Sequence, residues 1–133
     1  MHPCHGCVTV VRISMPPRIP TEMQEQITVA DWLRKNGIIF AHVPNEGART
    51  PKQGAMLRRI GLHKGVPDLL IFSHPQTAIE MKRRKERPTS RGQRATPDQK
   101  RWLETLARLG WETRVCHGST EAIQYLQSLG FGQ

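Results

Sequence analysis

Two apolar runs joined by a short proline-containing turn constrain the fold of this chain more than any other feature. The runs cover residues 69–72 and 77–82, and the intervening residues 73–76 include Pro75. Short apolar runs bounded by turn residues are typical of β-strands, and so short a connection joins antiparallel neighbours. The sequence therefore predicts a hairpin whose fully apolar first strand is buried on both faces.

The second predicted strand carries two charged residues. Glu80 and Lys82 are two positions apart, so their side chains project from the same face of the strand. The hairpin brings both side chains back toward Asp68, the residue directly before the first strand. A charge in an apolar strand is costly unless it is paired or bound to a metal. Two interpretations stay open: a turn aspartate beside a Glu80–Lys82 salt bridge, and a site that holds a divalent cation beside a phosphate.

The second interpretation predicts phosphodiester hydrolysis. A cation held by Asp68 and Glu80 would polarise the phosphate and lower the pKa of a bound water. Met81 lies between the two charged strand residues, and its backbone carbonyl is a candidate oxygen ligand for Mg²⁺ or Mn²⁺. Lys82 is placed to orient the attacking water or to stabilise the charged phosphorus centre.

The charge of the chain favours a polyanionic partner. The 133 residues include 20 Lys and Arg against 11 Asp and Glu, a net charge of +9. Residues 82–101 alone carry nine basic and two acidic side chains, which predicts a clamp on a phosphate backbone, although a solvated basic loop stays possible. The candidate DNA-binding residues are Arg49, Lys64, Arg83, Arg84, Lys85, Arg87, Arg91 and Arg94. Asn45 is a further candidate phosphate contact, and Asn45, Arg49 and Lys64 are at least as well explained as ordinary solvated loop residues.

The same composition argues against several other classes of protein. The sequence contains no run of about 18 apolar residues, so it predicts no membrane-spanning helix. Residues 1–15 lack the features of a secretory signal. Three cysteines do not form a disulfide framework, so the cytoplasm of a bacterial or phage-infected cell is expected. His2, Cys4, His5 and Cys7 are too crowded for usual zinc spacing. No nucleotide cofactor is predicted.

The length fits one domain, predicted to cover residues 21–133 after a proline-rich extension at residues 1–20. Helices are predicted at 21–36, 51–60, 96–109 and 119–129, and strands at 38–43, 69–72, 77–82 and 111–116. Met23, Ile27, Ala30 and Leu33 are expected to form the apolar stripe of the first helix. Trp32, Trp102 and Trp111 are expected to be core anchors rather than base-stacking platforms. The fold class is α/β, with a mixed central sheet flanked by helices in the order αβββαβ, in which residues 77–116 form a right-handed crossover.

These residues resemble the virus-type replication-repair nuclease (VRR-NUC) family, a branch of the PD-(D/E)XK nuclease superfamily. The resemblance covers residues 21–129 and rests on four blocks in family order. They are Thr21-Glu22 with Gln26, Gly65-Val66-Pro67-Asp68, Ile79-Glu80-Met81-Lys82, and Thr96-Pro97-Asp98-Gln99. The chain departs from compact members of the family in its long basic segment at residues 83–95.

The resemblance implies a restriction-endonuclease-like core and a catalytic set of Asp68, Glu80, Lys82, Glu22 and Gln99. Glu22 would complete the metal site with Asp68, Glu80 and the Met81 carbonyl. Without the resemblance, Glu22 is equally a first-turn carboxylate favoured by the helix dipole, and Gln99 is equally a member of a capping box.

The resemblance also implies a homodimeric, Mg²⁺- or Mn²⁺-dependent endonuclease that cuts branched DNA, such as four-way junctions or flaps, in repair, recombination or phage replication. The alternatives are a non-catalytic DNA-binding module that retains the fold and, less favoured, a nuclease directed at RNA.

Overall fold

A computed structural model describes residues 18–44 and 49–132. The elements in chain order are α1 (Glu22–Lys35), β1 (Phe40–His42), α2 (Pro51–Arg59), β2 (Leu69–Ile71), β3 (Thr77–Lys82), α3 (Pro97–Arg108), β4 (Glu112–His117) and α4 (Ser119–Ser128). The cluster of His2, Cys4, His5 and Cys7, for which zinc binding is not expected, lies outside the described residues, as do most of the predicted N-terminal extension and Asn45. The predicted order of helices and strands is confirmed, with boundaries shifted by one or two residues.

Four strands form one mixed sheet in the order β1-β2-β3-β4. The predicted hairpin is confirmed, because β2 and β3 pair antiparallel with Leu69 opposite Ile79. The strand–helix–strand unit is also confirmed, because β4 lies parallel to β3 and α3 connects them. Within the described ranges, no helix combines the length and apolar character that crossing a bilayer requires.

The two faces of β3 have different neighbours, and this positions the candidate site. Ile79 and Met81 lie in the main core cluster with Val29 and Leu33 of α1 and Leu126 of α4. Side chains alternate along a strand, so Glu80 and Lys82 project from the opposite face, where the Lys82 ammonium contacts α3. Helices α1 and α4 therefore cover one face of the sheet, and α3 covers the other.

Helix α1 buries a different stripe from the one predicted. Leu33 is fully buried, but Met23 is 70 % exposed and Ile27 is 53 % exposed. Glu25, Val29 and Leu33, spaced four apart, face the core instead. The prediction that Met23 and Ile27 face the core was wrong. It assumed that apolar residues alone form the buried stripe of α1, whereas that stripe includes the carboxylate of Glu25.

Candidate functional site

Asp68 and Glu80 face each other across the open end of the β2–β3 hairpin. Continuing the register one step beyond the Leu69–Ile79 pair places the two residues opposite each other. The Asp68 amide donates a hydrogen bond to Glu80 Oε2 at 3.3 Å, and the Met81 amide donates to Asp68 Oδ2 at 2.9 Å. Asp68 is 7 % exposed and Glu80 is 2 % exposed. The hairpin thus holds two buried carboxyl groups side by side.

Burial raises the pKa of both carboxyl groups. The pKa of Glu80 rises to about 8, first because of its burial and then because of the negative charge of Asp68. The pKa of Asp68 is also raised by burial, although the hydrogen bond from the Met81 amide opposes this shift. Two acidic groups this close lack enough compensating positive charge, which is the electrostatic environment that a divalent cation neutralises.

Lys82 supplies the positive charge nearest to the pair in β3. Its ammonium lies 3.7 Å from Glu80 Oε1 and donates a hydrogen bond to Gln99 Oε1 at 2.9 Å. The same Gln99 oxygen accepts a hydrogen bond from the Thr96 amide at 2.8 Å, while the Gln99 amide donates to Thr96 Oγ1 at 3.2 Å. Gln99 therefore both closes the capping box of α3 and fixes Lys82.

The loop before Asp68 packs directly against the start of α3. Gly65 has a φ of +87°, and a Cβ atom at this position would lie 2.7 Å from backbone and side-chain atoms of Asp98 and 2.8 Å from the Gln99 amide. Only glycine fits so close an approach without displacing the helix. The absence of a side chain at position 65 therefore sets the distance between the segment that carries Asp68 and the helix that carries Gln99.

The structure brings together four of the five predicted catalytic residues: Asp68, Glu80, Lys82 and Gln99. Among the described residues, no three His, Cys, Asp or Glu side chains are grouped closely enough to hold a metal ion, so Glu22 does not join Asp68 and Glu80 in such a group. Glu22 lies four residues before Gln26, which lines a cavity of about 320 Å³ with Asp68, Met81 and the exposed side of α1. The metal-binding role of Glu22 stays a prediction.

Glu25 is a buried carboxylate that the sequence analysis did not select. It is 1 % exposed, and its Oε2 atom accepts a hydrogen bond from the Ser119 amide at the start of α4. The cap residue Gly118 makes no side-chain cap of its own, so Glu25 caps α4 from another helix. Its Oε1 atom lies 2.9 Å from Arg84 Nη2. No sequence motif signals this arrangement, since its three members lie far apart in the chain.

The predicted basic clamp, residues 83–95, has no regular secondary structure but is attached to the fold at several points. Arg84 pairs with buried Glu25. The His117 ring makes a 2.7 Å hydrogen bond with the Gln93 carbonyl, and Gly92 packs so closely that a Cβ there would lie 2.6 Å from His117 Cδ2. Five of the six predicted cations of this segment are exposed, Arg83, Arg84, Arg87, Arg91 and Arg94, whereas Lys85 is half-buried.

Arg49 and Lys64 lie near α2, and Lys64 also lies near α3. Both are exposed, and both line a cleft of about 420 Å³ that also includes Arg58 and His63. The candidate DNA-binding cations therefore form two sets, one near α1 and α4 and the other near α2 and α3.

The chain is similar to known proteins in sequence and in fold. The model of the VRR-NUC domain family matches residues 20–120. A solved structure described as "VRR_NUC domain protein" superimposes with a TM-score of 0.65 and 25 % identity, covering 84 % of this chain and 89 % of that one. A comparison with curated proteins gives no significant match.

The family match spans most of the chain, so the protein belongs to the VRR-NUC domain family. This membership implies a nuclease domain with DNA as its substrate. The predicted family and fold class are both confirmed.

Proposed function

We propose that the protein is a metal-dependent endonuclease that hydrolyses phosphodiester bonds of branched DNA and acts as a homodimer. The observation that supports this proposal best is the convergence of Asp68, Glu80 and Lys82 at one end of the hairpin, with both carboxyl groups buried. A structural salt bridge alone would not require a second buried carboxyl group, because Lys82 can neutralise only one of them.

Asp68, Glu80 and the Met81 carbonyl are the groups that would hold Mg²⁺ or Mn²⁺. All three offer oxygen, which these cations prefer. Burial raises the pKa of both acids, and the charge of Asp68 adds to the rise at Glu80; a bound cation would stabilise the ionised form of both. A bound cation would polarise the phosphate and supply an activated water. Glu22, from the adjacent helix, is a further candidate ligand.

Lys82 and Gln99 complete the proposed reaction centre. The Lys82 ammonium is fixed between Glu80 and Gln99, so it is preorganised to stabilise negative charge that develops on the phosphoryl oxygens. Gln99 is a positioning residue, because its side-chain oxygen holds the ammonium in place. The exposed arginines of residues 83–95, together with Arg49 and Lys64, would bind the phosphates on either side of the scissile bond.

A homodimer is proposed because each chain has one such site. Two symmetric cuts in a four-way junction require two sites related by a twofold axis. Size-exclusion chromatography with light scattering tests this part of the proposal. A monomeric mass with and without junction DNA would contradict it.

The activity is tested with labelled junction, flap and linear duplex DNA in the presence of Mg²⁺ or Mn²⁺. Glu80→Gln keeps the shape of the side chain and is expected to abolish cleavage. Glu104→Gln makes the same substitution at an exposed position of α3 and is expected to cleave as the wild type does. Identical products from wild type and Glu80→Gln would instead favour a non-catalytic DNA-binding module, as would the absence of Mg²⁺ or Mn²⁺ binding in calorimetry.

A further inference from the structure

A cleft next to the proposed reaction centre has an aromatic wall and a basic rim. It measures about 370 Å³ and lies between the segment before β2 and helix α3. Its lining residues are His63, Lys64, Asp98, Arg101, Trp102 and Thr105. We call it the aromatic cleft.

Trp102 does not have the environment of a core residue. It is half-buried and is absent from the main core cluster, in contrast to Trp32, which packs against that cluster. The Trp102 ring instead meets the exposed His63 ring edge-on, with centroids 5.4 Å apart and an interplanar angle of 61°. The expectation that Trp102 is a core anchor was therefore wrong, because the indole lines an open cleft.

The chemistry of the aromatic cleft suits a nucleobase with its phosphate. Proteins bind unpaired bases by stacking them on aromatic side chains inside positively charged grooves. Lys64 and Arg101 are exposed cations at the rim, and the Asp98 carboxylate is an acceptor suited to an exocyclic amino group. Asp98 also pairs with Arg101 at 3.2 Å, so the acceptor is held at the wall of the cleft.

The aromatic cleft is connected rigidly to the reaction centre. Trp102 lies three residues after Gln99, about one helical turn or 5 Å along α3, and Gln99 holds Lys82. The opposite wall is fixed by the close packing of Gly65 against Asp98 and Gln99. Lys64 and His63 also line the cleft that contains Arg49 and Arg58. The two clefts together therefore offer a basic path to a bound DNA strand.

We propose that the aromatic cleft holds an unpaired DNA base one or two nucleotides from the phosphate at Lys82. The inference rests on the proposed function, because it requires DNA at the reaction centre. A base inside a duplex is stacked on both faces and cannot enter without being extruded. The cleft would therefore select DNA that already carries unpaired nucleotides, such as a flap or the open centre of a junction.

The test measures binding in a Glu80→Gln background, so that cleavage does not interfere. Fluorescence anisotropy compares a blunt duplex with the same duplex carrying a short single-stranded extension. Trp102→Leu is expected to weaken binding of the extended duplex by about tenfold, as when one stacked base is lost, and to leave binding of the blunt duplex unchanged. Trp102→Phe keeps an aromatic face and is expected to retain most of the preference.

Trp111→Leu is the matched control, since Trp111 pairs with Phe72 rather than lining the aromatic cleft. If Trp102→Leu does not fold, the test uses His63→Ala, a substitution at an exposed position. This variant is also expected to reduce the preference for the extended duplex. The proposal is overturned if the variant weakens both duplexes equally or neither. Cleavage is measured separately in the protein that keeps Glu80. A Trp102-dependent preference together with no cleavage by that protein would refute the nuclease activity alone, whereas normal cleavage by that protein without the preference would refute the base site alone.

Discussion

The Glu25 carboxylate forms an ion pair with the Arg84 guanidinium, Oε1 to Nη2 2.9 Å, and joins the start of the basic segment to helix α1. The other carboxylate oxygen accepts a hydrogen bond from the Ser119 amide of α4. The buried side chain of Glu25 thus connects α1 to α4 and to the segment that follows β3. This position is structural rather than catalytic, because Glu25 contacts none of Asp68, Glu80 and Lys82 in the hydrogen bonds and ion pairs among the described residues.

We expect Glu25→Ala to lower the free energy of unfolding by about 2–4 kcal/mol, because it leaves the Ser119 amide without its acceptor and Arg84 without its buried partner. Urea denaturation measures the change. Asp31→Ala is the control: it removes an exposed ion pair with Arg34 and should cost less than about 0.5 kcal/mol. Equal losses of unfolding free energy in the two variants would show that the buried interactions of Glu25 stabilise the fold no more than an exposed ion pair does.

Gln99 can be separated from its capping function by comparison with Gln53. Both glutamines close a capping box, in α3 and α2 respectively, but Gln99 also accepts a hydrogen bond from Lys82. Each alanine variant should lose about 1 kcal/mol or less of stability. Only Gln99→Ala should reduce kcat for DNA cleavage, by up to about a hundredfold, because Lys82 is misplaced. A comparable kcat loss in Gln53→Ala would contradict this role.

The pKa of Glu80 predicts how the stability of the metal-free protein depends on pH. The folded state raises this pKa from 4.5 to about 8, so it favours the protonated acid. The contribution to stability is complete below pH 4.5 and is lost as pH rises toward 8.

Glu80→Gln stays neutral and should lack this part of the pH dependence. The measurement is the difference in unfolding free energy between wild type and Glu80→Gln, in chelator, across the window. A difference that does not change with pH would contradict the raised pKa. Added Mg²⁺ should stabilise the wild type more than the variant.

Cys116 should be unreactive in the folded protein. It is fully buried in β4, and burial, aided by the negative charge of Glu121, raises its pKa to about 12. Thiolates rather than thiols react with alkylating agents. Timed labelling with iodoacetamide in mildly alkaline buffer, followed by peptide mass spectrometry, should find Cys116 modified far more slowly in native protein than in urea. Equal rates in the two conditions would show that β4 is open to solvent.

The sequence predicted the parts of the site that depend on local geometry. Residues two apart in a strand share a face, and a short turn brings two strands together, so the meeting of Asp68, Glu80 and Lys82 followed from spacing alone. Gln99 needed the family resemblance, since the capping-box pattern explains the same residue without any reference to Lys82.

The remaining features depend on tertiary packing, which the residue pattern does not contain. Glu25 is buried because Arg84 and Ser119 neutralise and satisfy it from other elements. Met23 and Ile27 have the spacing of a core stripe, but the sheet contacts α1 along the line of Val29 and Leu33 instead. Trp102 is apolar enough for a core, and only the position of the His63 segment leaves its ring beside an open cleft.

The close contact at Gly65 places the proposed reaction centre where two segments of the chain meet, the hairpin with its leading loop and the crossover helix. A single added methyl group would act as a spacer between them. If the protein is the proposed nuclease, its activity should depend on this distance as well as on charge, and position 65 is where the distance can be altered without changing any functional group.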